Sequence, residues 1–172
     1  IQRSNLCREH LRLEKAQRDL EVWCKAESRS SERWSRRTSL LYVLGRGPSL
    51  PIAAETALKL KECCALHAEA YSIAEVMHGP WELMGEGFPV FAYSPGDRSR
   101  PSSREAFAKM RNTGANVLVV EDGGLPYAAT GDALLDPIAM IQTAYLAIEK
   151  VAQARGRNPD RPRLLKKVTE TI

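Results

Sequence analysis

From residue 39 onward, short apolar runs alternate with longer segments of helical periodicity. Such runs are typical of buried strands, and their alternation with amphipathic helices predicts βαβ units with a parallel sheet, hence an α/β fold class. The predicted strands lie at about 40–44, 89–93 and 116–120, with a weaker one near 127–130. The predicted helices lie at about 50–66, 72–84, 101–113 and 134–155.

The size of the chain favours a single core. It has 172 residues, of which 44% are apolar, so we expect one domain at residues 39–156 and an irregular tail at residues 157–172. No run approaches the roughly 18 uncharged apolar residues of a membrane span, and no secretory signal is visible. We therefore expect a cytoplasmic protein with no membrane partner.

The cysteine spacing argues against both a metal site and a disulfide framework. The four cysteines form no CxxC pair and no metal-like cluster with the three histidines. They are Cys7, Cys24, Cys63 and Cys64, and the histidines are His10, His67 and His78. We expect reduced thiols, no metal and no cofactor.

The positive charge is concentrated in the first 38 residues. The net charge is +4, and that arm alone has 10 basic and 6 acidic residues. Its residues 5 to about 25 have a heptad-like stripe of leucines that predicts a helix, whereas residues 27–38 have the composition of a disordered segment. DNA binding by the arm is the least favoured alternative, because acids interleave with the bases and no helix-turn-helix spacing occurs. No nucleic-acid partner is expected.

The first predicted strand ends in a glycine turn that leads into a helix. Gly45, Arg46 and Gly47 form this turn, Ser49 is placed to cap the helix, and Pro51 suits its first turn. A strand, a glycine turn and a helix N-terminus together can hold an anion. Many α/β domains turn in this way for structural reasons alone, so both interpretations stay open.

The helix that follows has a polar stripe. Glu55, Lys59 and Glu62 are spaced i, i+4 and i+7 and share one face. The stripe is either the solvated side of an amphipathic helix or a set of acids around an ammonium group. Ser72 and Glu75 are spaced as a capping box for the next helix.

His78 directly precedes Gly79 and Pro80. Because proline breaks or kinks a helix, this imidazole is expected near the end of an element and not in the middle of a core. A surface or capping histidine and a functional histidine are both consistent with this position.

Residues 45–80 have the pattern G-R-G, E-x-A-L-K-L-K-E, A-E-A-Y and H-G-P without a gap. This pattern resembles the second SIS (sugar isomerase) domain of the isomerase half of glucosamine-6-phosphate synthase and of related sugar-phosphate deaminases and deglycases. The resemblance covers about residues 40–172, including a D-x-P-R-x-L-x-K-like tail, and leaves residues 1–38 unmatched. It implies a three-layer sandwich with a flavodoxin-like parallel sheet, and a tail that completes the site.

The resemblance also implies roles for individual residues. Glu62 would move a proton between C1 and C2 of an open-chain sugar, and His78, from a neighbouring subunit, would assist ring opening. Lys167 would form a Schiff base with the ketose carbonyl. Glu55 and Lys59 would line the pocket together with Gly45, Arg46, Gly47 and Ser49 of the turn.

The expected function is that of a phosphosugar isomerase or deaminase domain that binds a phosphorylated amino sugar. The sequence shows neither a first SIS domain nor a glutaminase domain, so glutamine-dependent synthesis by this chain alone is not expected. The alternative is a non-catalytic phosphosugar-binding module, or one half of a double-SIS enzyme. The expected partner is accordingly a second copy of the chain or a first SIS domain.

Overall fold

The computed structural model describes residues 40–121 and 123–165, which form a four-stranded parallel sheet with helices on both faces. The strands are β1 (Leu40–Gly45), β2 (His67–Ser72), β3 (Pro89–Tyr93) and β4 (Asn116–Val120). The helices are α1 (Leu50–Cys64), α2 (Ile73–Val76), α3 (Arg100–Asn112) and α4 (Asp136–Ala154), with short 3-10 helices at Gly47–Ser49 and Gly79–Leu83. The order β2-β1-β3-β4 confirms the predicted α/β class.

Two apolar cores separate the helices into layers. Residues such as Val43 of β1 and Phe91 of β3 pack with α1 and α4, forming the α1–α4 core. The alternate residues, such as Tyr42 and Val90, pack with α2, the 3-10 helix Gly79–Leu83 and α3, forming the α3 core. Because side chains alternate along a strand, each buried strand contributes to both cores, which gives the expected three layers.

The prediction of a continuous helix at 72–84 is wrong, because this segment is divided into α2 (Ile73–Val76) and the 3-10 helix Gly79–Leu83. The strand that precedes it was not predicted. Residues 67–72 form an edge strand that pairs in parallel with β1, from Leu40 opposite His67 to Gly45 opposite Ser72. Alanine and glutamate are depleted in strands, so His67–Ser72 lacks the usual composition, and its pairing with β1 overrides that local preference. The short helix α2 then begins with the predicted capping box, because Ala74 N–H donates to Ser72 Oγ and Ser72 N–H donates to Glu75 Oε2.

The weaker strand predicted near 127–130 is also wrong. This segment is a loop tied to the first residue of α4, since Tyr127 Oη and the backbone and hydroxyl of Thr130 all donate to the Asp136 carboxylate. Asp136 is buried, so these three hydrogen bonds compensate its desolvation. The helix α4 ends at Ala154, and Gly156, which has a positive φ of 66°, lies just beyond this end, where glycine commonly terminates a helix.

Among residues 40–121 and 123–165, no helix is long and apolar enough to cross a membrane. Within these same ranges, no group of three or more His, Cys, Asp or Glu side chains is arranged to hold a metal ion.

Candidate functional site

The polar face of α1 brings two carboxylates to one ammonium group. Lys59 Nζ lies 2.7 Å from Glu62 Oε2 and 3.8 Å from Glu55 Oε1. Their side chains keep 27% to 35% of their surface exposed, which is enough for a ligand to reach them. The i, i+4 and i+7 spacing therefore produces the predicted cluster on one helix face.

The charge of Lys59 is set by its neighbours. The hydrogen bond to Glu62 raises the pKa of Lys59 above its ordinary value, and this effect outweighs the opposing effect of burial. Lys59 is therefore a firmly charged ammonium group that neutralises one carboxylate of the face. An anionic ligand would meet one net negative charge here, because two acids surround a single base.

Tyr145 of α4 adds a hydroxyl to this face. Its Oη donates to Glu55 Oε1 at 3.4 Å, across 90 residues of sequence. Burial, followed by the nearby Glu55, raises the pKa of this phenol, so it stays a proton donor at neutral pH. Sequence patterns gave no signal for this residue, because its contact with Glu55 depends on the packing of α1 against α4.

The β1–α1 turn differs from the prediction in one respect. Ser49 makes no side-chain cap to α1; its hydroxyl instead donates to Arg46 O and accepts from Arg46 N–H, both at 2.9 Å. Gly45 lies so close to this turn that an added Cβ would fall 2.7 Å from the Ser49 carbonyl carbon. Gly47 has a positive φ of 54°. The two hydrogen bonds between the Ser49 hydroxyl and the Arg46 backbone close the turn.

The side chain of Arg46 points away from α1. Its Nη1 donates to Ser102 Oγ at 3.0 Å, in the first turn of α3. Arg46 thus connects the loops that follow β1 and β3, and it lies at the carboxyl edge of the sheet, not beside Glu62.

His78 is exposed and lies where the 3-10 helix Gly79–Leu83 begins, as expected for a histidine before Gly-Pro. It follows α2, which packs in the α3 core, whereas Glu62 is on α1 in the α1–α4 core. Glu62 and His78 of one chain therefore project from opposite faces of the sheet. Lys167 lies outside the described residues.

A buried hydroxyl pair lies behind the polar face. Thr56 Oγ1 and Tyr93 Oη are 2.6 Å apart, and Thr56 Oγ1 also donates to Ile52 O at 2.8 Å. The pair links α1 to β3. It holds the helix that presents Glu55, Lys59 and Glu62 at a fixed position on the sheet.

Comparison with known families identifies this fold. The SIS domain model matches residues 36–145. The chain belongs to the SIS domain family. The glutamine–fructose-6-phosphate aminotransferase [isomerizing] of Sulfolobus acidocaldarius is 38% identical over 144 residues, which cover 79% of this chain and 24% of that protein. Curated relatives of this kind are thus about four times as long as the matched segment.

Solved structures give the same family. A candidate phosphosugar isomerase from Silicibacter pomeroyi superposes with a TM-score of 0.70 and 35% identity, covering 85% of this chain and 44% of that chain. The glucosamine-6-phosphate deaminase of Thermotoga maritima gives a TM-score of 0.65 and 26% identity, covering 86% of this chain and 44% of that chain. This SIS domain therefore corresponds to less than half of each solved chain.

Proposed function

We propose that this SIS domain binds a phosphorylated amino sugar or ketose and, in a complete assembly, transfers a proton between C1 and C2 of the open-chain sugar. The observation that carries the proposal is the Glu55–Lys59–Glu62 face, found in a chain 38% identical to an isomerizing aminotransferase. Glu62 is the proton carrier, because a carboxylate can accept a proton from one carbon and return it to the next. Lys59 and Glu55 bind the hydroxyl groups that flank these carbons.

The site in this proposal is shared between two chains. The proposal is supported by the positions of Glu62 and His78, which are on elements that pack on opposite faces of the sheet. We propose that a second copy of the chain supplies His78 to the α1 face, where it assists ring opening. Lys167 forms a Schiff base with the ketose carbonyl in this proposal, and borohydride trapping followed by peptide mass mapping tests that role.

Solvent exchange tests the proton transfer directly. In D2O, NMR would follow deuterium entering C1 or C2 of fructose-6-phosphate and glucosamine-6-phosphate. Glu62→Gln should abolish this exchange while ligand binding persists. Glu105→Gln is the matched control, because Glu105 also pairs with a lysine one turn away, at 2.8 Å from Lys109. Unchanged exchange in Glu62→Gln would remove Glu62 from the mechanism.

Subunit mixing tests the shared site. Glu62→Gln and His78→Asn chains should each be inactive, whereas an equal mixture should recover about a quarter of the wild-type activity, because half of the dimers are mixed and each has one intact site. Recovery of no activity by the mixture would contradict a site shared between chains.

One observation favours a second function, a phosphosugar-binding module without turnover. The Glu62 carboxylate accepts a hydrogen bond from the Lys59 ammonium at 2.7 Å, and a charged pair of this kind is suited to hydrogen bonding with the hydroxyl groups of a sugar. This alternative expects saturable binding of sugar phosphates in calorimetry with no exchange at C1 or C2.

A further inference from the structure

The helix α4 is apolar on its outer side as well as on the side that packs against the sheet. Its residues 137–148 contain no charged side chain. Along the outer side, and just before the helix begins, five large apolar residues keep 39% to 70% of their surface exposed. We call them the α4 stripe: Leu134, Leu135, Ile138, Tyr145 and Leu146. A helix that is apolar on all sides is normally buried, so the stripe marks a contact surface.

The N-terminal arm joins the domain at the edge of the sheet where α4 ends. The helix α1 runs from the end of β1 back to the start of the parallel strand β2, so its last residues lie where the strands begin. The helix α4 ends at the same edge, because Arg155 Nε donates to Cys64 O at 2.8 Å. Leu40, the first residue of β1, also lies at this edge. The arm therefore enters on the side of the molecule from which α4 can be reached.

The arm contains an apolar stripe of its own. Leu6, Leu13 and Leu20 repeat every seven residues, and Trp23 lies three residues further on. The arm lies outside the described residues, but in the helix that its sequence predicts these four side chains share one face. At 1.5 Å per residue, this face is about 25 Å long and the α4 stripe is about 18 Å long. The arm therefore offers an apolar surface long enough to cover the α4 stripe.

The length of the connection and the charges both favour the arm as the element that covers the stripe. Residues 26–39 connect the predicted helix to β1, and when extended they reach about 46 Å, which exceeds the 28 Å or so of α4. The arm has a net charge of +4, from 10 basic and 6 acidic residues. The polar face of α1, which adjoins the stripe through the hydrogen bond of Tyr145 to Glu55, has one net negative charge. A tethered segment also has a higher effective concentration than a separate chain.

We propose that residues 5–25 form a helix whose leucine stripe docks on the α4 stripe of the same chain. This inference goes beyond the proposed function, because docking requires neither a sugar nor Glu62. Failure of proton transfer would therefore leave it standing, and the converse also holds.

Hydrogen exchange of the whole chain, followed by mass spectrometry, tests the docking. Amides of residues 5–25 should exchange about tenfold or more slowly than in an unstructured peptide. Ile138→Ser should remove this protection, with exchange about tenfold faster, because it replaces a buried isoleucine of the contact by a polar residue. Leu83→Ser is the matched control. Leu83 is 57% exposed, close to the 66% of Ile138, but it lies on the 3-10 helix of the opposite face of the sheet, so the arm should stay protected.

A substitution in the arm should have the reciprocal effect. Leu13→Ser should speed exchange of residues 5–25 by about tenfold and increase the fluorescence of anilinonaphthalene sulfonate, because the α4 stripe becomes accessible to the dye. Leu11→Ser should change neither signal, since residues two apart point to nearly opposite sides of a helix. Ile138→Ser leaves the arm sequence intact, so a loss of protection in that variant cannot come from a lower helix propensity of the arm.

Unprotected exchange of residues 5–25 in the wild-type chain would overturn the proposal, as would equal effects of Ile138→Ser and Leu83→Ser. Sedimentation at two protein concentrations identifies the other possible occupant. A dimer that dissociates in Ile138→Ser, with the arm unprotected throughout, would show that a second copy covers the α4 stripe and would also overturn the proposal.

Discussion

Gly45→Ala should destabilise the domain more than substitution of a glycine in open space. The added Cβ would lie 2.7 Å from the carbonyl carbon and still closer to the carbonyl oxygen of Ser49, and 2.9 Å from Leu50 Cα. These are backbone atoms of the turn and of the first residue of α1, so no side chain can rotate away. Relief requires α1 to move relative to β1, even though α1 packs against the sheet through Ala53 and Ala57.

Overpacking of this kind typically costs about 1 to 3 kcal/mol, and contact with backbone places Gly45→Ala near the upper end. A loss of about 3 kcal/mol should lower the melting temperature by about 6 to 12 °C in a chain of this size. Urea denaturation followed by circular dichroism measures the free energy of unfolding, and differential scanning calorimetry measures the melting temperature.

Two other glycines serve as controls. A Cβ at Gly79 meets nothing within 4 Å, so Gly79→Ala should change stability by less than about 0.5 kcal/mol. Gly47 is equally open but has a φ of 54°, so Gly47→Ala should cost about 1 kcal/mol from backbone conformation alone. Equal stability of Gly45→Ala and wild type would refute the close approach of β1 and α1.

Two further predictions follow from named contacts. Asp136→Ala should lower the free energy of unfolding by about 3 kcal/mol, because it removes the buried carboxylate that accepts three hydrogen bonds from Tyr127 and Thr130. A loss below about 1 kcal/mol in urea denaturation would contradict this. The Lys59 ammonium should titrate above its ordinary pKa of 10.5, and Glu62→Gln should return it toward that value in NMR of the Nζ group. Because the pKa of Lys59 is raised on folding, its pairing should contribute full stability below pH 10.5 and lose that contribution as the pH rises through the raised value. An unchanged titration in Glu62→Gln would show that Glu62 does not control this charge.

The sequence by itself determined the features that depend on local periodicity. The runs at 40–44, 89–93 and 116–120 became β1, β3 and β4, and the i, i+4 and i+7 spacing placed Glu55, Lys59 and Glu62 on one face of α1. These features were predictable because helix and strand geometry fix which side chains share a face, whatever the surrounding fold.

Tertiary structure decided which residues meet across the chain. Residues 67–72 became a strand because the edge of β1 was open to pairing, although their composition disfavours a strand. The contacts of Arg46 with Ser102 and of Tyr145 with Glu55 span 56 and 90 residues. They depend on the strand order and on the face of the sheet to which each connection crosses. For the same reason, only the folded chain shows that Glu62 and His78 lie on opposite faces, because a local pattern does not specify the layer in which its helix packs.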